Sequence, residues 1–113
     1  IAATRLAHQR FPEFLEAWTR RKPDDHFAIK AAIPCGPSGR GEGAEHMWFN
    51  VRSIQEGWII AAADANGIDV PVKQGDLIKF KPTDIEDWFA PSPDGDVIGG
   101  FTLHALAQIH TDR

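Results

Sequence analysis

Residues 46–64, HMWFNVRSIQEGWIIAAAD, constrain the fold more than any other stretch. In the first half Met47, Phe49 and Val51 alternate with His46, Trp48, Asn50 and Arg52, the period-two pattern of a half-buried strand. Gln55-Glu56-Gly57 supplies a short turn, and WIIAAAD returns as a second apolar run. Two such runs joined so tightly can only lie antiparallel, so the chain is committed to an antiparallel sheet.

The neighbouring segments extend the sheet. HFAIKAAI, 26–33, alternates with Phe27, Ile29, Ala31 and Ile33 on one side and Lys30 on the other. LIKFK, 77–81, enters after the turn KQGD, 73–76, and VIGGFTLHAL, 97–106, reads as a last strand with Phe101, Leu103 and Ala105 on one face. Asn66-Gly67 signals a turn, and Val70 to Val72 reads as a short edge piece in which Pro71 is tolerated. PCGPSGRGEG, 34–43, is a loop by composition, and the tail from Gln108 reads as frayed.

One segment has helical spacing. In FPEFLEAWTRRK, 11–22, Phe11, Phe14, Leu15 and Trp18 form a stripe, Pro12 and Glu13 suit the first turn, and Pro23 ends the run. Arg20, Arg21 and Lys22 suit a helix C-terminus. The residues before Phe11 read as an arm or a further short helical turn. The expectation is an α+β fold in one domain, 1–113, with this N-terminal helix packed on a curved antiparallel sheet of about five strands at 26–106. A partly closed small barrel fits the same pattern.

Residues 84–101, DIEDWFAPSPDGDVIGGF, concentrate charge. Thr83-x-x-Glu86 reads as a capping box, so 83–88 is expected to be a helical turn that plugs Ile85 and Trp88 into the core. Gly99-Gly100 inside a strand signals a bulge or a close backbone approach.

Four ordered motifs in these segments carry a resemblance. Glu45-His46-Met47-Trp48, Gln74-Gly75-Asp76, Asp84-Ile85-Glu86-Asp87-Trp88 and Gly99-Gly100-Phe101-Thr102 resemble the YegJ-like bacterial domain family of unknown function, over about 27–106. The chain departs from that pattern at 61–69, AAADANGID, where members often carry Asn-x-Pro. The resemblance implies a domain found alone or beside ankyrin repeats in bacteria. It implies no particular chemistry.

Charge and composition narrow the function classes. The net charge is −4, yet residues 1–22 hold five basic residues and two acids while 84–96 hold five acids and no base. Such a surface suits a basic protein partner rather than nucleic acid. No apolar run approaches the ~20 residues of a membrane span. IAATRLAHQR has no apolar core of the kind a secretory leader carries. The single cysteine, Cys35, excludes an internal disulfide and suits a reduced, cytoplasmic setting.

The five histidines lack metal-ligand spacing, and no serine sits in a nucleophile motif, so no metal, cofactor or catalytic residue is expected. The expected function is a non-catalytic protein-interaction module, such as an immunity-type protein that neutralises a basic toxin through an acidic surface. Its candidate binding residues are Glu45, His46, Trp48, Asp84, Glu86, Asp87, Asp94 and Asp96. The alternative is a small enzyme or ligand-binding domain in which Glu45, His46 and Asp87 meet to do acid–base work.

Overall fold

The computed structural model describes residues 2–35 and 43–103. The glycine-rich stretch 36–42, the end of the expected last strand at 104–106 and the tail lie outside the described residues. Two helices, α1 (Ala2–Gln9) and α2 (Phe11–Thr19), precede six strands. These are β1 (Ala28–Pro34), β2 (Ala44–Gln55), β3 (Trp58–Ala63), β4 (Leu77–Phe80), β5 (Ile85–Pro91) and β6 (Val97–Gly99). All neighbours pair antiparallel in one sheet of order β4-β3-β2-β1-β5-β6.

The fold is therefore α+β, with an open sheet rather than a closed barrel. Its curvature follows from chain length. Phe80 ends β4 and Ile85 begins β5, so five residue steps join positions four strands apart in the sheet. Five steps reach at most ~18 Å, whereas four strand spacings in a flat sheet need roughly 19 Å. The sheet must curl for the connection to exist, and the tight 3₁₀ turn at Pro82–Asp84 sharpens the demand.

The core lies on one face of this sheet, under the helices. Ile29, Phe49, Ile59, Phe80, Ile85 and Trp88 meet Ala7, Phe11, Phe14 and Ala17 there, all of them buried. The expected stripe on α2 is realised with one exception. Phe11, Phe14 and Ala17 are buried and Trp18 is half-buried, but Leu15 is 41% exposed. Leu15 follows Phe14 by about 100° of helix rotation, which carries it off the inner face. The preceding residues form a full helix, α1, whose small Ala7 lets the backbone lie close to β5.

α2 stops at Thr19, not at Lys22. The N–H groups of Arg20 and Arg21 still bond back to the carbonyls of Glu16 and Trp18, but Arg20 has already left helical geometry. Pro23 bars the residue before it from helical backbone.

Glu56 and Gly57 both take positive φ, 52° and 84°, as a type I′ hairpin turn requires. The segment at 70–72 forms no strand. It belongs to a loop in which Val70 turns inward and is buried.

Two further expectations are corrected. Ile85 and Trp88 are buried, but on a strand rather than on a helical turn. Only Pro82–Asp84 is helical, and its cap sits earlier in the chain than Thr83-x-x-Glu86 implied, because the Asp84 carboxylate accepts the Lys81 N–H at 2.8 Å. Lys30 pairs with Asp87 and Ala31 with Ile85, so Glu86 is an extra residue on β5. That bulge lets Ile85 and Trp88, an odd number of residues apart, both face the core.

The expected strand 97–106 ends at Gly99, and residues 101–103 are helical. Gly99 and Gly100 take φ of 103° and 71°, which breaks the extended run. A Cβ on Gly99 would stand 1.9 Å from the Trp88 carbonyl oxygen, so the close backbone approach read from this glycine pair is present.

Trp88 joins these parts. It is fully buried, packs edge-to-face on Phe14 and Phe101, and donates its indole N–H to the Ala7 carbonyl at 2.8 Å. Trp88→Ala is expected to cost ~3–5 kcal/mol in denaturant unfolding. Trp88→Phe keeps an aromatic but strands the Ala7 carbonyl, and is expected to cost about 1–3 kcal/mol. Losses below ~1 kcal/mol for both would show that the indole does not anchor the helices.

Candidate functional site

The face of the sheet opposite the helices collects the side chains that alternate away from the core. Trp48 on β2 and Phe89 on β5 stack there at 4.9 Å between ring centroids, both half-buried. β1 lies between them, with Lys30 across from Trp48 on one side and Asp87 on the other. Next to this pair His46 Nδ1 donates to Glu86 at 2.7 Å. The His46 side chain is 54% exposed, so its imidazole stands at the surface with one nitrogen committed to the carboxylate.

Glu45 does not join this pair. As the residue before His46 on a strand it points to the opposite face. Its carboxylate accepts the backbone N–H groups of Ile68 and Asp69 at 2.8–2.9 Å. These bonds tether the loop that connects β3 to β4. They hold the Glu45 carboxyl below its ordinary range, the Ile68 N–H first, because each favours the ionised form.

Asp87 does not reach His46 either. It is fully buried and accepts four hydrogen bonds. The donors are the N–H groups of Trp88 (2.8 Å), Phe101 (3.0 Å) and Thr102 (2.9 Å) and the Thr102 hydroxyl (2.6 Å). Thr102 also accepts from Lys30 Nζ at 3.4 Å. Asp87 thus caps the helical segment that starts at Phe101, from a distant strand, with its charge at the positive end of the helix. Its burial is tolerable because four donors satisfy its oxygens and Lys30 reaches the Thr102 hydroxyl beside it.

Glu45, His46 and Asp87 therefore form no catalytic constellation. Two are spent on backbone donors, and His46 is paired with Glu86. Lys30 and Thr102 are the members of this network that the sequence reading missed. Lys30 was legible as the one charge in an alternating apolar strand, and Thr102 as the last residue of the glycine-pair motif.

The acids do not form one edge. Asp84 and Glu86 lie at the start of β5, while Asp94 and Asp96 lie in the hairpin beyond its end, roughly 20 Å away at ~3.3 Å per residue. Asp94 accepts the Ser92 hydroxyl and the Asp96 N–H. The Ser92 bond, more than the other, keeps its carboxyl below the ordinary aspartate range. Among the described residues there is no group of three or more candidate metal ligands, and no helix is long and apolar enough to cross a membrane.

A family model described as "Uncharacterized protein conserved in bacteria (DUF2314)" matches residues 1–113. No curated protein and no solved structure matches the chain.

Two expectations follow from the carboxylates. Glu45 has a depressed pKa in the folded protein, so its tether is complete at neutral pH and is released as pH falls through that depressed value. The Ile68 and Asp69 amide shifts should titrate with a midpoint below that of an unperturbed glutamate, and Glu45→Gln should abolish the titration. Asp87→Ala should cost ~2–4 kcal/mol by leaving buried donors unpaired, with hydrogen exchange fastest at 101–103. An Asp87→Ala variant with wild-type stability would reverse its assignment as a scaffold residue.

Proposed function

The chain belongs to DUF2314, a family of uncharacterised proteins conserved in bacteria, and we propose that it is a non-catalytic protein-interaction module of the immunity type, which binds a basic bacterial toxin. The observation that carries this reading is the division of labour among its polar residues. Glu45 and Asp87 hold the scaffold together, while the exposed His46–Glu86 pair stands beside the Trp48–Phe89 stack on the face opposite the helices. A half-buried aromatic pair with a polar rim is the composition that protein interfaces favour.

The acids supply a second, long-range component. Asp94 uses hydrogen bonds locally but keeps its charge, and a capped carboxylate still contributes to the field that steers an oppositely charged partner. The single cysteine supports a reducing, cytoplasmic setting. Within DUF2314 we read the chain as YegJ-like, because two of the four resembling motifs are bonded to each other. Asp87-Trp88 receives the N–H groups of Gly100, Phe101 and Thr102.

The test is association kinetics with the product of any toxin gene found adjacent to this one, and the lack of such a gene would count against the immunity reading. Asp96→Lys and Glu86→Lys are expected to slow association several-fold and flatten its salt dependence. Trp48→Ala is expected to speed dissociation about tenfold or more. Unchanged kinetics in all three variants would reject this surface. Turnover of a small molecule, lost in His46→Ala, would instead place the chain among enzymes.

A further inference from the structure

The three cations that follow α2 serve it less than their sequence position suggests. Because the helix ends at Thr19, Arg20, Arg21 and Lys22 leave it and take separate places. Arg20 donates to the Pro91 carbonyl at 3.0 Å. Arg21 sits over Trp18, its Cζ 3.9 Å from the ring centroid, and donates Nη1 to the Trp18 carbonyl at 2.8 Å. Lys22 is held by its backbone, whose N–H bonds to the Asp25 carboxylate at 2.9 Å while its carbonyl accepts the Asp25 N–H at 3.0 Å.

Across from them stands Arg52. On β2, Val51 pairs with Ala61 and Ser53 with Ile60, so Arg52 is the extra residue of a bulge. A bulge costs ladder pairing and re-aims the side chain it carries. Here it brings Arg52 to the rim of a cleft of about 490 Å³, together with Arg21 and Lys22, over a floor of Trp18, Phe27 and Val51. Asp25 also lines the cleft, but its carboxylate already accepts the Lys22 N–H. Arg21, Lys22 and Arg52 form no ion pair among the described residues. Three cations and one engaged carboxylate line the cleft, an excess of positive charge that suits an anion, and the volume is that of a small-ligand site. A second cleft, of about 470 Å³, continues past Arg52 and adds the polar groups of His26, Asn50 and Asp64.

We propose that this cleft binds a small phosphate ester with a ring-bearing body. The fork-shaped guanidinium groups of Arg21 and Arg52 match a phosphate in geometry as well as charge, and Lys22 adds a mobile third donor. Arg21 covers a face of Trp18, so the ring lies against the remaining apolar lining of Phe27 and Val51. Stacking on Trp18 fixes Arg21 before any ligand arrives, so less side-chain freedom is lost on binding. The site is separate from the Trp48–Phe89 patch and does not depend on the partner-binding reading.

Amide NMR on the whole chain tests this, with phenyl phosphate, inorganic phosphate and phenol as probes. Phenyl phosphate is expected to give saturable shifts at Lys22, Val51, Arg52 and the Trp18 indole N–H. Inorganic phosphate should bind the same residues several-fold more weakly, and phenol should shift none of them. Arg52→Glu and Lys22→Glu, both exposed positions, should each weaken phenyl phosphate about tenfold or more with the melting midpoint unchanged. Non-saturating shifts, shifts scattered away from the cleft, equal response to phenol, or full affinity in both folded variants would each overturn the assignment.

Discussion

A tryptophan buried to zero exposure must still satisfy its indole N–H, and the way Trp88 does so organises the molecule. Its acceptor is the carbonyl of Ala7, near the end of α1. One hydrogen bond between residues 81 positions apart therefore sets where the first helix lies on the last long strand. His8 adds a second tie by donating to the Ile85 carbonyl. Burying an aromatic of roughly 200 Å² is worth on the order of 5 kcal/mol at ~25 cal/mol/Å², and the surrounding rings of Phe14 and Phe101 share that gain. The backbone beside Trp88 is constrained as well. Gly99 passes so close to its carbonyl that a side chain there has no room, and Gly100 donates its N–H to the same oxygen.

The residue before it meets the opposite requirement. Asp87 points away from the apolar core and is equally buried, which is affordable only because four donors converge on it. Two neighbours on one strand thus anchor the two ends of the described chain, Trp88 the helices at the start and Asp87 the helical segment at 101–103. The glycine pair between strand and helix makes this possible, since the chain must turn sharply to bring the N–H groups of Phe101 and Thr102 onto a carboxylate of the adjacent strand.

Charge in this protein is largely structural at short range and remains available at long range. Asp84 closes a 3₁₀ turn, Asp94 closes the β5–β6 hairpin, and Glu45 tethers the β3–β4 loop. Glu45 and Asp94 are stabilised as anions by these donors, so the capping does not cost them their charge. Basic residues gather at the end of α2 and at the bulge on β2, and Arg20 and Lys22 share a cleft with the β5–β6 hairpin that carries Asp94 and Asp96.

Much of the architecture was legible because it depends on local rules. Alternation marked β1, β2 and β4, an apolar run returning from the Gln55-Glu56-Gly57 turn marked β3, and helical spacing marked α2. The burial of Ile85 and Trp88 and the tight approach at Gly99 were legible too. What failed depends on partners distant in sequence. β5 looks like a capped turn because Thr83-x-x-Glu86 satisfies a local rule, yet pairing along β1, with Glu86 accommodated as a bulge, outweighs one turn of helix. The last apolar run looks like a strand, but a carboxylate fourteen residues away caps it as a helix. Glu45, His46 and Asp87 look like one site because they are polar residues on facing strands, whereas strand alternation and the competing demand of buried N–H groups send them to three different partners. The sequence by itself determined which segments are extended and which side of each is apolar, since steric and hydrophobic preferences act between near neighbours. Only the tertiary structure decided which carboxylate meets which donor, because buried polar groups are satisfied by whatever the strand order and the curvature of the sheet bring within 3 Å.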